Sequence, residues 1–250
     1  MKDLTTKPTQ EDLYKLKDDK NYYGDFGKLW LSNSDIIKLL NDPKSFRKPQ
    51  EETKAMLEGR YFHTAILEVD KLEDFTILDL SSRNTKAYKE HFAEHQTMAL
   101  LRHEQENILQ AVSIMKSNIE MFDEIYNPAN MFEVPMTKTI QGENWKGKAD
   151  IVCVDKLIDL KTTSDISKFK YSARKYNYDS QAYIYQELFG LPLEFYVVDK
   201  TTLQLGIFKP TEEFLAGGKE KVEEATLVYQ TYFKENSVAD INQKIIHEIL

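Results

Sequence analysis

The 250-residue sequence predicts an α/β (α+β) domain, a mixed central sheet flanked by helices, with a helical N-terminal region. Two observations predict it. Helical periodicity fills the first half of the chain, and the texture then changes to short alternating segments bounded by turn residues. The order helices, three strands, helix, two strands, helix suits a mixed sheet covered by helices.

Residues 1–30 are polar and rich in Lys and Asp, and NYYGDFG reads as an irregular lead-in. A single domain is expected over 31–250. Within it, 31–126 form a helical part, 127–210 a sheet with one helix, and 211–250 a C-terminal helix. Ser32 or Ser34 can cap a helix carrying Ile36, Ile37, Leu39 and Leu40, which Asp42-Pro43 stops. A second helix is expected over EETKAMLEGRYFHTAILEV, with Met56, Ala65, Ile66 and Val69 as its apolar positions and Gly59 as a weak spot. Residues 85–125 read as two helices closed by Asn127-Pro128.

MFEVPMTKTIQ, WKGKADIVCVD and KLIDLKTT then read as strands. YDSQAYIYQELFG returns to the helical period and stops at Gly190-Leu191-Pro192. LEFYVVDK and LQLGIFKP form a strand pair, and a last helix follows, broken at Gly217-Gly218.

Hydrophobic residues make up 41% and charged residues 30%, with nine Gly and seven Pro, which excludes a disordered or fibrous chain. No secretory leader is expected, because the first twenty residues have no apolar core. No apolar run approaches the ~20 residues of a spanning helix, so no membrane association is expected. Cys153 is the only cysteine, which excludes an intramolecular disulfide and an iron–sulfur cluster and makes a reducing, cytoplasmic location the default. The net charge of −8 excludes a generally basic nucleic-acid coat protein but not an enzyme with a basic groove.

Charge placed among apolar residues marks the candidate site. Asp150 precedes IVCV, and Asp159 and Lys161 interrupt LIDLK. Asp159 and Lys161 are two apart on one strand and therefore share a face. Carboxylates beside an ammonium suit a hard divalent cation whose bound water is polarised toward hydroxide, with the lysine stabilising charge on a phosphate. Taken alone, such a pair is more often a surface ion pair. Gln181 and Tyr185 lie one turn apart and face the same way, either to touch a DNA backbone or to brace the site. His91, His95 and His103 read as a solvated helix face.

As a set these segments resemble the PD-(D/E)xK nuclease superfamily, and within it the RecE-like (exonuclease VIII type) phage exodeoxyribonucleases. GKAD ending at Asp150 is similar to the first acidic motif, and IDLKTT (158–163) to the D-x-K motif with trailing threonines. YDSQAYIY (178–185) is similar to the Q-xxx-Y helix. SNSDIIKLLNDPKSFR (32–47) and GRYFHTAILE (59–68) are similar to the N-terminal helices of that family. The absence of four cysteines separates the chain from the cluster-bearing branches.

The resemblance implies a PD-(D/E)xK restriction-endonuclease-like core and Mg²⁺, with Mn²⁺ as an alternative. It implies His63, Glu133, Asp150, Asp159 and the Leu160 carbonyl as metal ligands. Lys161, Asp159, Asp150 and Glu133 would be catalytic. Thr162, Thr163, Gln181, Tyr185 and Lys148 would contact DNA, with Lys168, Lys170, Arg174 and Lys175 as a basic lining. Val134-Pro135 depart from the small or hydroxyl residue usual after the family's glutamate.

The implied activity is 5′→3′ digestion of double-stranded DNA ends, leaving 3′ tails for a single-strand annealing or recombinase protein, by a homo-oligomeric ring. The alternatives are an endonuclease or single-strand exonuclease of RecB or restriction type, and a non-catalytic DNA- or partner-binding module with a degenerate nuclease fold.

Overall fold

Strand-forming segments and apolar helix faces combine here into a sheet with a core on each side. The structure is a computed structural model that describes residues 9–235, 237 and 239–243. The central sheet has five strands, β3 (Met131–Ile140), β4 (Glu143–Val152), β5 (Leu157–Thr163), β6 (Leu193–Asp199) and β7 (Leu205–Phe208), in the spatial order of the chain. Only the β5–β6 pair is parallel, because the chain between them crosses over through α8 (Phe169–Lys175) and α9 (Tyr178–Phe189). A separate parallel pair joins β1 (Ile77–Leu78) to β2 (Leu100–Leu101). The expected mixed sheet flanked by helices is therefore present.

Helices cover both faces. On one, α4 (Lys54–Leu67), α6 (Arg102–Ser117) and α7 (Ile119–Ile125) pack Phe62, Ile108 and Met121 against Ile158, Leu160 and Tyr196. On the other, α3 (Asn33–Asn41), α9 and α10 (Glu212–Tyr232) pack Ile36, Ile184 and Val222 around Trp145, Phe195 and Val197. Burial of such Leu, Ile and Phe side chains stabilises by about 1.5–3 kcal/mol each and holds the layers together.

Four sequence expectations are corrected. The described part of the N-terminal lead-in is largely helical, with NYYGDFG irregular only from Gly24 to Phe26: α1 (Gln10–Leu16) and α2 (Asp19–Tyr23) fold onto a small core of Leu16, Tyr22 and Trp30. A Thr9–Asp12 capping box starts α1.

In α4 the buried stripe is Leu57, Tyr61, Phe62, Ala65 and Ile66. Met56 is exposed, and Val69 is exposed beyond the helix end, because the i, i+4 rows through Leu57 and Phe62 face the core.

Residues 85–125 form three helices, not two. Gln96, at φ 53°, ends α5 (Lys86–His95), and Leu100–Leu101 pair with β1 before α6.

Finally, α10 runs unbroken through Gly217-Gly218. A Cβ on Gly218 would stand 2.1 Å from the Asp179 carbonyl oxygen, so glycine here permits close packing against α9 instead of ending the helix.

Ser32 is the N-cap of α3, and its backbone N–H donates to Asp35 Oδ2 at 2.8 Å. Among the described residues no helix is long and apolar enough to cross a membrane.

Candidate active site

The site forms where β4 and β5 part. These strands pair through Ile151 with Ile158 and Val152 with Leu157, after which Asp150 and Asp159 face one another across the divergence. Parting leaves the Leu160 N–H without a strand carbonyl, and Asp150 Oδ2 accepts it at 2.7 Å. The N–H and C=O of one strand residue point to the same side, so the Leu160 carbonyl also faces this opening.

Side-chain alternation breaks at the same level. Ala149 and Ile151 are two apart yet pack into opposite cores. Across the ladder Glu133 lies between the Phe132–Ile151 and Val134–Ala149 pairs and takes φ 49°, a left-handed conformation that costs a glutamate roughly 1–2 kcal/mol. Both strands thus turn the Glu133 and Asp150 side chains toward one point at the sheet edge.

His63, from α4, reaches that point with Nδ1 3.3 Å from Asp150 Oδ2. His63, Glu133 and Asp150 each offer a ligand atom, and these atoms lie within 4.8 Å of one another. Donors bonded at about 2.0–2.2 Å to one ion lie at most about 4.4 Å apart, so an ion would draw this triad slightly together, and a nitrogen with two carboxylates is a donor set for Mg²⁺, Mn²⁺ or Zn²⁺.

Asp159 stands outside this triad. Its Oδ1 accepts from Gln181 Nε2 at 2.6 Å, and its Oδ2 is ion-paired with Lys161. Its carboxylate therefore holds the lysine in place.

The electrostatics follow from crowding charge into a buried place. Burial pushes the Glu133 carboxyl up to about 7, and Asp150 across the strand pair adds to the effect. Burial also works against Asp150 as an anion, but His63, Lys161 and the Leu160 N–H hold its carboxyl below the ordinary range. Burial raises Asp159, with Lys161 opposing. For His63 burial is overcome by Asp150, which raises the imidazole. Burial would lower Lys161, yet Asp159, Tyr178 and Asp150 hold it well above the ordinary lysine range, so it remains an ammonium.

The other predicted residues are placed as follows. Tyr185 is buried and its hydroxyl donates to the Lys148 carbonyl at 2.9 Å, so it braces β4, as Gln181 braces Asp159. The Lys148 side chain is buried, ion-paired with Asp19 of α2, with Glu133 Oε2 3.7 Å away. It lies beside the carboxylates and is absent from the lining of the cleft. Thr162 and Thr163 line a cleft of about 710 Å³ with His63, Lys161 and Lys168. Arg174 instead pairs with Glu213 beside a second hollow. His91 and His95 lie on α5 and His103 on α6, and none of them joins the His63–Glu133–Asp150 group.

Sequence reasoning missed Tyr178, whose ring centroid lies 4.8 Å from Lys161 Nζ. The signal was available, since Tyr178 precedes Gln181 by three residues and shares its helix face. It also missed the role of the motif glycine. A Cβ on Gly147 would stand 2.7 Å from Leu188 Cδ1 and 2.8 Å from Tyr185 Cε1, so glycine lets α9 seat against β4.

Comparison with known proteins agrees with this geometry. A family model described as a PDDEXK-like domain of unknown function (DUF3799) matches residues 37–241. The fold is similar to the crystal structure of a candidate exonuclease from Eubacterium rectale, with a TM-score of 0.65 and 17% identity over 93% of this chain and 95% of that one. SSO0001 aligns with a TM-score of 0.34 and 15% identity over 83% and 87% of the two chains. No curated protein matches. With the family model spanning most of its length and the carboxylates and lysine at one sheet edge, the chain belongs to the PDDEXK-like family DUF3799, within the PD-(D/E)xK nuclease superfamily.

Proposed function

We propose that this nuclease is a metal-dependent deoxyribonuclease of the RecE-like type, digesting linear duplex DNA from its 5′ ends and leaving 3′ single strands. The observation that carries the reading is the convergence of His63, Glu133 and Asp150 within 4.8 Å, beside a Lys161 that stays cationic. The motif resemblance supports the exonuclease branch, as does the fold shared with the Eubacterium rectale candidate exonuclease.

His63, Glu133 and Asp150 would hold a Mg²⁺ or Mn²⁺ ion, with the Leu160 carbonyl on the same side. A divalent ion bound there polarises a phosphoryl oxygen and acidifies water. Lys161, an ammonium at neutral pH, is unsuited to take a proton and instead stabilises negative charge developing on the phosphate. Asp159 and Gln181 fix its position, and this preorganisation removes the cost of reorienting the charge during reaction. Thr162 and Thr163, on the cleft wall, would position the strand.

A homo-oligomeric ring belongs to this proposal. With a net charge of −8, enclosure holds DNA more effectively than general surface attraction does. A single-strand annealing protein or recombinase would take up the 3′ tail, and the reaction would be cytoplasmic.

The test is digestion of a linear duplex labelled separately at each 5′ and 3′ end, in Mg²⁺ and in EDTA, beside a covalently closed circle. Metal-dependent release from the 5′ ends that spares the circle, and that Lys161→Ala lowers by about 10²–10³-fold, is expected. Cutting of the circle would replace the reading with an endonuclease. DNA binding without cutting in Mg²⁺ or Mn²⁺ would replace it with a degenerate binding module.

A further inference from the structure

We infer that Tyr176 is a stacking platform for an unpaired nucleobase, so that the strand to be cut passes Lys161 as a single strand. The inference rests on the nuclease reading and adds the form in which the substrate enters the site.

A line of side chains leads from the reacting lysine to the mouth of the cleft. Lys161 Nζ lies 4.8 Å from the Tyr178 ring centroid, and the Tyr178 and Tyr176 centroids are 6.1 Å apart. Both tyrosines line the 710 Å³ cleft, and Tyr176 is 56% exposed. A large ring left open to solvent within a charged cleft is available to a ligand with an apolar face.

The turn that carries Tyr176 is firmly braced. The Tyr176 N–H donates to the Ser172 carbonyl at 2.9 Å. The next residue, Asn177, takes φ 59° and is buried. Lys221 of α10 donates to Asn177 Oδ1 at 2.9 Å and to the Arg174 carbonyl at 2.8 Å, and Asn33 Nδ2 donates to the Asn177 carbonyl at 3.1 Å. Three elements thus brace the turn that carries the half-exposed ring, with Lys175 Nζ 5.7 Å from its centroid, and a fixed backbone lowers the ordering cost of a stacked ligand.

The α4 wall of the cleft complements the ring. Met56 is 51% exposed there, and Gly59, one turn before His63, has open space where a side chain would stand. A flat group can enter between a thioether, a bare helix surface and an aromatic ring. Lys168, with 76% of its side chain exposed and its ammonium 2.9 Å from Asp165 Oδ2, lines the same cleft, where Lys161 supplies the positive charge nearest the rings.

These features select an unpaired base. Each base inside a duplex already has both faces stacked on its neighbours, whereas an unpaired base offers a free face to an aromatic side chain. The cleft volume also falls in the ~300–1,000 Å³ range of sites that enclose small ligands, which suits a nucleotide and not a duplex.

The test uses the full chain and a short single-stranded oligodeoxynucleotide carrying 2-aminopurine, whose fluorescence falls on stacking. Binding is read in EDTA, and again in Mg²⁺ with the Lys161→Ala variant. Cleavage of a linear duplex is followed in parallel. Quenching is expected in the unsubstituted protein, lost in Tyr176→Ala and retained in Tyr176→Phe. Tyr176→Ala should also digest the duplex about tenfold more slowly.

Equal quenching by Tyr176→Ala and the unsubstituted protein, or none by either, would overturn the stacking assignment, leaving the nuclease reading to the cleavage assay. Tyr176-dependent quenching in a protein that digests no DNA in Mg²⁺ or Mn²⁺ would uphold the stacking site and overturn the nuclease reading.

Discussion

Gln181 Nε2 donates to Asp159 Oδ1 across 2.6 Å, and this bond leaves the other oxygen of a buried carboxylate to Lys161. The helix therefore aims the lysine through the aspartate. Gln181→Leu removes the donor and leaves a buried carboxylate oxygen unsatisfied, at a cost of about 1–3 kcal/mol. Cleavage should fall at least about tenfold while DNA affinity in EDTA stays unchanged. Weakened affinity with an unchanged cleavage rate would make Gln181 a DNA contact instead.

Gly147 seats α9 on β4. In Gly147→Ala the new methyl meets Tyr185 and Leu188, and the hydrogen bond from Tyr185 to the Lys148 carbonyl is displaced. Overpacking of this kind costs about 1–3 kcal/mol. Chemical denaturation should show that loss. Tyr185→Phe, which removes only the hydroxyl, should lose about 1 kcal/mol.

The paired glycines of α10 should respond in opposite directions. Gly218→Ala drives a methyl against the Asp179 backbone, which cannot yield cheaply, and should destabilise by about 3 kcal/mol or more. At Gly217 the nearest atom to an added Cβ is Arg174 Nη1 at 3.4 Å, the end of a flexible side chain. Gly217→Ala should therefore raise the melting temperature, since alanine is favoured in a helix interior by up to ~1 kcal/mol.

Acid should weaken the helical layer through Glu104. Burial would raise its carboxyl, but Arg83, the Leu101 N–H and Lys54 hold it down at about 2. A carboxyl whose folded value is depressed contributes stability that is fully present above its ordinary value of 4.5. That contribution is lost as pH falls through about 2. Melting temperatures across this window should fall more steeply for the unsubstituted protein than for Glu104→Gln. At neutral pH the variant should be the less stable of the two, because its amide pairs poorly with Arg83 and Lys54.

The strands bearing Asp150 and the Asp159–Lys161 pair were legible because strand periodicity and turn residues are local signals. The placement of Asp159 and Lys161 on one face needs only the period of two. The N-terminal helices were not legible, because seven- and five-residue helices are too short to show a periodic stripe and are held by packing of Tyr22 and Trp30. Gly217-Gly218 misled for a related reason. Glycine lowers helix propensity, but the approach of α9 that makes it necessary is a long-range contact.

By itself the sequence determined the mixed α and β architecture, the Asp159–Lys161 pair on one strand face, and the motif order that resembles a nuclease superfamily. All of these rest on neighbours within a few residues. Only the tertiary structure decided that His63, Glu133 and Asp150 form one triad while Asp159 turns to Gln181 and Lys161. It also decided that Tyr185 and Lys148 are internal braces. The reason is physical. The divergence of β4 from β5 creates an unpaired Leu160 N–H that Asp150 must satisfy, and the left-handed turn at Glu133 aims its carboxylate at the same point. Neither condition exists until α4, three strands and α9 have closed around one another.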